Sequence, residues 1–346
     1  LFIGLKQKGW EIHILTIPKS PLKPVFESIG IRVFENHPTS KFDKQAILFL
    51  KRLMLTESYD IVHTFNSKAT AMVNRINRKS CSPFIHIGYR GSEGPFWYEI
   101  IDYWALYHPH VDAIMCSSHF VMKSISKNNL LWKKDLFLVY KGVDIEPYDQ
   151  VQPISREEIG VSTNDFLVIA IANIRPVKGI QYLIEAFHQI PNHLPLKLLL
   201  VGKDTDSPSM VRQVNNGCNA SKIISWGYQN NILPLLKAAD LYIQPSLSEG
   251  LSKSVIEAMA LGIPVVSTRC GGPEELIEHD KNGLLIDKKS TSQITAAMLT
   301  MEANPEKRKS YSAAATTFIK EHLNSQKALH QLETAYLKLL QQKLSS

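Results

Sequence analysis

Apolar positions along the chain fall into short runs separated by stretches of helical spacing. Phe166–Ala172 and Leu196–Val201 are apolar-rich runs of strand length, and Ile223–Trp226, Asp240–Gln244, Pro264–Ser267 and Gly283–Ile286 repeat the theme. Between them, Gly179–Gln189, Ser209–Asn216, Ile232–Ala238 and Ser252–Leu261 carry apolar residues at helical intervals. Short apolar strands alternating with amphipathic helices predict a parallel sheet covered on both faces. Helices over about 290–302, 305–321 and 325–343 finish the chain, with Asn324 or Ser325 placed to cap the last.

The first half shows the same alternation. Strands are predicted at Trp10–Ile17, Ile31–Phe34, Asp60–Thr64, Phe84–Tyr89, Val111–Ser117 and Leu136–Tyr140. Helices are predicted at Pro21–Ile29, Lys44–Leu55, Ser67–Arg78 and Ser118–Lys127. Leu1–Gly9 reads as a helix before the first of these strands, whereas a doubly wound domain opens on a strand. The expectation is that the domain's first strand is missing here. Lys141–Pro153 has no periodicity and holds Gly142, Pro147 and Pro153, the composition of a linker. Ser155-Arg-Glu-Glu after it has capping-box spacing and predicts a helix start. The division is therefore 1–145, 154–322, and a terminal helix at 323–346 that packs back on the first domain. Two consecutive open α/β domains are expected to bind ligands at the carboxyl ends of their strands.

Composition excludes several classes. No apolar run reaches the roughly 18 residues of a membrane-spanning helix. The four cysteines, Cys81, Cys116, Cys218 and Cys270, are scattered without metal-ligand spacing, so reduced cytosolic thiols and no structural metal are expected. Net charge is +7, most of it in the first 150 residues, where 19 Lys and Arg face 14 Asp and Glu. The basic stretch Lys41–Lys79 is either a solvated helix face or a surface that meets anionic lipid or an anionic acceptor. Nothing points to nucleic acid.

The densest chemistry lies in Pro245-Ser-Leu-Ser-Glu-Gly-Leu-Ser-Lys-Ser-Val-Ile-Glu. A strand delivers Glu249 and Gly250 into a loop, and a helix begins near Ser252. Free N–H groups at Gly250, Leu251 and Ser252 would make an anion site there. Glu257 stands among Val255, Ile256, Ala258, Met259 and Ala260, a setting in which a carboxylate is rarely idle. Glu249 and Glu257 could thus address two hydroxylated ends of one extended ligand. Asn173-Ile-Arg-Pro-Val-Lys-Gly follows another strand. There Arg175 and Lys178 suit a diphosphate, one by a bidentate fork and one as a point charge.

The block from Glu249 through Ala258-Met-Ala-Leu-Gly-Ile-Pro-Val-Val to Gly271-Gly-Pro-Glu-Glu resembles the E-x7-E signature of glycosyltransferase group 1, family four. Arg175 and Lys178 match that family's R-x-x-K-G pattern. The resemblance implies a GT-B fold of two facing Rossmann-like domains, the first on the acceptor side and the second binding a nucleotide sugar. It implies catalytic roles for Glu249, on the transferred sugar, and for Arg175 and Lys178, on the donor diphosphate. It implies donor contacts from Glu257 to the ribose, from the amides of Gly250, Leu251 and Ser252, and from Gly227 near the base. Leu251-Ser252 departs from the family's common Phe-Gly. Val62-His-Thr-Phe-Asn resembles the family's H-x-H-like segment with Phe65 in place of the second His, and Tyr89-Arg-Gly-Ser-Glu-Gly carries Arg90 where relatives place a His. His63 and Arg90 are therefore acceptor-side candidates, each with a structural alternative.

The implied reaction moves a sugar from a nucleoside diphosphate to an acceptor hydroxyl with retention, without metal or cofactor. The implied setting is glycan or surface polysaccharide (capsule or lipopolysaccharide) assembly on a saccharide or lipid-linked acceptor, by a cytoplasmic protein peripheral on the inner face of the membrane. A sugar-nucleotide epimerase on the same fold and a non-catalytic sugar-nucleotide-binding protein remain the alternatives. The G-x-G-x-x-G mark of a dinucleotide oxidoreductase is not seen.

Overall fold

The computed structural model describes residues 1–36, 38–76, 83–92, 100–129 and 133–345. They divide into two compact units, Leu1–Gly142 with Ser325–Ser346, and Val143–Asn324.

The first unit runs α1 (Phe2–Gln7), β1 (His13–Thr16), α2 (Lys23–Glu27), β2 (Arg32–Glu35), α3 (Lys44–Thr56), β3 (Ile61–Thr64), α4 (Ser67–Val73), β4 (Ile85–Arg90), α5 (Ile100–Leu106), β5 (Ala113–Cys116), α6 (His119–Asn129) and β6 (Asp135–Leu138). Local chemistry sets the helix starts. Asp43 accepts from the N–H groups of Gln45 and Ala46 to cap α3, and Asn66 accepts from Ala69 to cap α4. β3-β4-β5-β6 form one parallel sheet and β1-β2 a second parallel pair. A cavity of about 690 Å³ lies where β1 and β3 approach, walled by His13, Leu15, Ile61, His63 and Phe65 among others.

The second unit contains α7 (Glu146–Asp149), β7 (Phe166–Ile171), α8 (Ile180–His188), β8 (Leu196–Val201), α9 (Pro208–Asn215), β9 (Ile223–Gly227), α10 (Leu233–Ala238), β10 (Leu241–Gln244), α11 (Lys253–Ala260), β11 (Val265–Thr268), α12 (Pro273–Leu276), β12 (Leu284–Ile286), α13 (Thr291–Ala303) and α14 (Pro305–His322). Its six strands are all parallel, in the order β12-β11-β10-β7-β8-β9. That is the doubly wound order, and the chain reverses direction across the sheet between β7 and β10. Val168, Ala170, Leu198, Leu200 and Ile243 from the strands pack with Leu183, Phe187, Met298 and Met301 from the helices in one core.

The last helix, α15 (Ser325–Ser345), belongs to the first unit. Its Leu332, Ala335, Tyr336 and Leu339 join Leu5, Ile85, Ile87 and Met115 in a buried cluster. Gly142 is needed where the chain meets this helix, because a Cβ there would stand 2.6 Å from the Ser325 Cα.

Two helices escape the sequence pattern, and one predicted helix start is wrong. Pro147 read as a breaker, yet it sits in the first turn of α7, where its missing N–H costs nothing. α5 is built on buried Tyr103 and Leu106, in a stretch left without an assignment. Ser155-Arg-Glu-Glu forms turns, since the Ser155 hydroxyl bonds the Glu157 carboxylate and caps no helix. The end of the helix predicted to Arg78 and most of the loop after Arg90 lie outside the described residues.

Candidate active site

Three loops leave the carboxyl ends of neighbouring strands of the second unit: Ala172–Gly179 after β7, Pro245–Ser252 after β10 and Arg269–Gly272 after β11. The β7 and β10 loops flank the point where the winding reverses, which is where open α/β sheets bind ligands. Backbone bonds knit them together. Leu247 N–H donates to the Val177 carbonyl at 2.7 Å, Glu249 N–H to Cys270 at 2.9 Å, and Gly272 N–H to Glu249 at 3.0 Å. The approach is close enough to demand glycine twice. A Cβ on Gly179 would sit 2.0 Å from the Pro245 carbonyl oxygen, and one on Gly272 would sit 1.7 Å from that of Gly250.

This scaffold brings Lys178 and Glu249 together. Lys178 ends a 3-10 turn, Pro176–Lys178, and its Nζ donates to Glu249 Oε1 at 2.5 Å. Ser246 Oγ donates to the same oxygen at 2.8 Å, and the Ser246 carbonyl accepts in turn from the Thr268 hydroxyl. Arg175 precedes the 3-10 turn and is exposed.

Gly250 and Leu251 lead from Glu249 to Ser252, the N-cap of α11. Helix geometry leaves the N–H groups of the first turn without intrahelical acceptors, and the Ser252 side chain takes none of them. Glu257 lies on α11 with 4% of its surface exposed. Its Oε1 pairs with Lys253 Nζ at 2.8 Å, and Oε2 is out of solvent without a hydrogen-bond partner. Gln244 Nε2 and Ser248 Oγ are buried and unpartnered on the same strand and loop. Such groups cost free energy unless something completes them.

Comparisons with known proteins give the family. The family "Glycosyl transferases group 1" matches residues 151–318, and "Glycosyltransferase Family 4" matches residues 1–147. The chain belongs to the group 1, family 4 glycosyltransferases. N-acetyl-alpha-D-glucosaminyl L-malate synthase of Bacillus anthracis is 30% identical over 210 residues, which cover 60% of this chain and 55% of that protein. UDP-Gal:alpha-D-GlcNAc-diphosphoundecaprenol alpha-1,3-galactosyltransferase of Escherichia coli is 24% identical, covering 71% of this chain and 67% of that protein. Among solved structures, Anabaena Alr3699/HepE in complex with UDP-glucose superposes with a TM-score of 0.78 at 19% identity, over 93% of this chain and 100% of that one. The fold is GT-B in class, with an α/β unit of parallel strands in each half.

The remaining candidates of this family member lie elsewhere. Gly227 ends β9 at φ +79°, with its N–H bonded to Thr205 Oγ1 at 3.0 Å and its carbonyl accepting from Gly202 N–H at 2.8 Å. In the first unit, His63 Nδ1 meets the Tyr336 hydroxyl at 2.8 Å, and its ring packs 4.1 Å from that of Phe65. Burial, with a smaller effect from nearby His86, pushes the His63 pKa down to about 3, so the ring is neutral near pH 7. Arg90 ends β4 with its guanidinium 5.0 Å from the centre of the Tyr103 ring. Among the described residues, no three His, Cys, Asp or Glu side chains gather as a metal site. No described helix is long and apolar enough to cross a membrane.

The sequence motifs did not single out Ser246, Thr268 or Gln244. Each is a polar residue at or just after the end of an apolar strand, and that position was the available signal.

Proposed function

We propose that the chain transfers a sugar from a nucleoside diphosphate to an acceptor hydroxyl with retention of configuration. The observation that carries this reading is the Lys178–Glu249 pair, locked between the β7 and β10 loops beside the open N-terminus of α11. One cation, one carboxylate and a set of backbone N–H groups converge at a switch point, as a diphosphate joined to a hydroxylated sugar requires.

In this reading the donor diphosphate takes Lys178, Arg175 and the amides of Gly250, Leu251 and Ser252. Glu249 receives sugar hydroxyls, and the unpartnered Oε2 of Glu257 receives the ribose. Gly227 lets the backbone pass close to the base. As the glycosidic bond to the diphosphate breaks, these cations and N–H groups hold the charge that grows on the leaving oxygen. The acceptor attacks from the same face, and its proton passes to the departing diphosphate. Charge is stabilised by fixed protein groups, and the reaction needs neither metal nor cofactor. Arg90 and His63 are proposed for the acceptor side, His63 as a neutral group.

Two relatives support a UDP-sugar donor and a saccharide or lipid-linked acceptor. The Escherichia coli enzyme is named for a UDP-Gal donor and a diphosphoundecaprenol acceptor, and the Anabaena protein was solved with UDP-glucose. Surface polysaccharide assembly at the inner face of the membrane is the proposed setting. The first 150 residues carry the larger share of the net positive charge, which suits an anionic surface.

The test is transfer from UDP-glucose, UDP-galactose and UDP-N-acetylglucosamine to lipid-linked saccharides, with and without EDTA, and NMR of the product's anomeric carbon. Retained configuration undiminished by EDTA is expected. An inverted product, or epimerised donor without transfer, would sink the proposal.

A further inference from the structure

Gln244 ends β10 with a side chain that is 4% exposed. Its Oε1 accepts from Ser252 Oγ at 2.5 Å, and the Tyr242 and Ser254 hydroxyls lie 3.3 and 3.5 Å away. Tyr242 OH also donates to Ser254 Oγ at 2.7 Å. Gln244 Nε2 is buried without a partner.

The consequence falls on Ser252. A serine at an N-cap ordinarily turns its hydroxyl onto an N–H of the first turn. Two serines of the same unit do so: Ser207 accepts from Met210 N–H at the start of α9, and Ser290 from Gln293 N–H at the start of α13. Ser252 has the extended backbone of an N-cap, φ −72° and ψ 114°, yet makes no cap bond. Its hydroxyl is turned instead to Gln244.

We propose that Gln244 is a positioning residue that holds the Ser252 hydroxyl away from the N-terminus of α11, leaving the first-turn N–H groups to an anionic group of the ligand. This rests on the donor-site reading above and adds to its amides of Gly250, Leu251 and Ser252 the first-turn N–H groups of Ser254 and Val255, those that an N-cap hydroxyl would otherwise take. Gln244 touches no reacting atom in this scheme; it keeps the helix from capping itself. Removing the acceptor at Oε1 frees the hydroxyl to swing onto its own helix and compete with the ligand.

The test titrates UDP, GDP and ADP into the wild-type chain, then the nucleotide that binds into Gln244→Leu, Ser252→Ala and the double variant. Gln244→Leu is expected to bind roughly fivefold more weakly, the factor that a cap of ordinary strength corresponds to. Adding Ser252→Ala removes the competing hydroxyl and is expected to return affinity to the level of Ser252→Ala alone. A general loosening of the loop would not be rescued in this way. Thermal melting of each variant checks the fold, and Gln244→Met, closer in shape, replaces Gln244→Leu if the latter shows no transition. Unchanged binding by a folded Gln244 variant overturns the proposal while the donor site stands. Weakened binding that Ser252→Ala does not restore overturns it equally. If the wild type binds no nucleoside diphosphate, the donor-site reading fails and this proposal falls with it.

Discussion

Lys178 Nζ donates to Glu249 Oε1 at 2.5 Å, so the cation and carboxylate proposed for opposite ends of the donor neutralise each other before it arrives. A donor entering this site must draw Lys178 toward phosphate and leave Glu249 to sugar hydroxyls. Glu249→Gln releases the lysine while removing the charged acceptor. We expect nucleoside diphosphate affinity to hold or rise and turnover to fall by about 100-fold. Lys178→Met removes the cation and leaves a mostly buried carboxylate without its ion pair, at a stability cost of about 2 kcal/mol. Turnover and affinity measured together separate the two roles, and equal losses of affinity in both variants would count against them.

Gly272 holds the β11 loop against the loop of Glu249. Its Cβ, if present, would lie 1.7 Å from the Gly250 carbonyl oxygen, which is backbone and cannot step aside alone. Gly272→Ala is expected to destabilise the protein by at least about 2 kcal/mol and to weaken donor binding. Gly160→Ala is a control of a different kind: its φ is +70°, but no atom lies within 4 Å of the added Cβ. It should cost stability without touching donor binding. Chemical denaturation and nucleotide titration of both variants decide the point.

Cys218 is exposed, whereas Cys116 and Cys270 are buried. Burial pushes the Cys116 thiol up to about 12 and the Cys270 thiol up to about 11, so neither offers thiolate near neutral pH. Iodoacetamide followed by peptide mapping should label Cys218 in the native protein, and Cys116 and Cys270 only after denaturation. Native labelling of Cys270 would mean that the β11 loop is less tightly packed than described.

His63 links pH to stability. Its pKa falls from an ordinary 6.5 to about 3 in the folded chain through burial. The unfolded chain therefore takes up this proton first on acidification. Stability from the neutral ring is complete above the unfolded value and is lost as pH falls toward the folded one. His63→Gln can keep a bond to the Tyr336 hydroxyl without titrating. Its melting temperature should fall less than that of the wild type between about pH 7 and pH 5. Parallel curves would remove His63 as a source of acid sensitivity.

The second unit was largely legible in the sequence because its strands are covered on both faces. Phe166–Ala172 and Leu196–Val201 announce themselves by apolar content alone. The E-x7-E block was legible because a strand end, a glycine and a helix start stand within a few residues. What stayed hidden depends on contacts across the sheet. Nothing in the spacing of Lys178 and Glu249 shows that they pair. That pairing follows from β7 and β10 being neighbours, which only the winding order fixes. Gln244 was passed over because a polar residue after Leu-Tyr-Ile looks like the end of a strand, and its bond to Ser252 spans a loop. At the start of the second unit, Pro147 concealed a short helix and the capping-box spacing at Ser155 suggested a false one. In both places the tertiary partners, and not the local signals, decide the structure.

The central claim is that the second unit's loops form a nucleotide-sugar donor site. Isothermal titration of UDP, GDP and ADP into the folded chain tests it most directly, alongside Glu257→Ala and Arg175→Ala. One nucleoside diphosphate should bind at a single site, and each substitution should weaken it by about tenfold or more, the worth of a charge-assisted contact. No binding by any of the three to a chain that melts cooperatively, or binding that neither substitution changes, would contradict it.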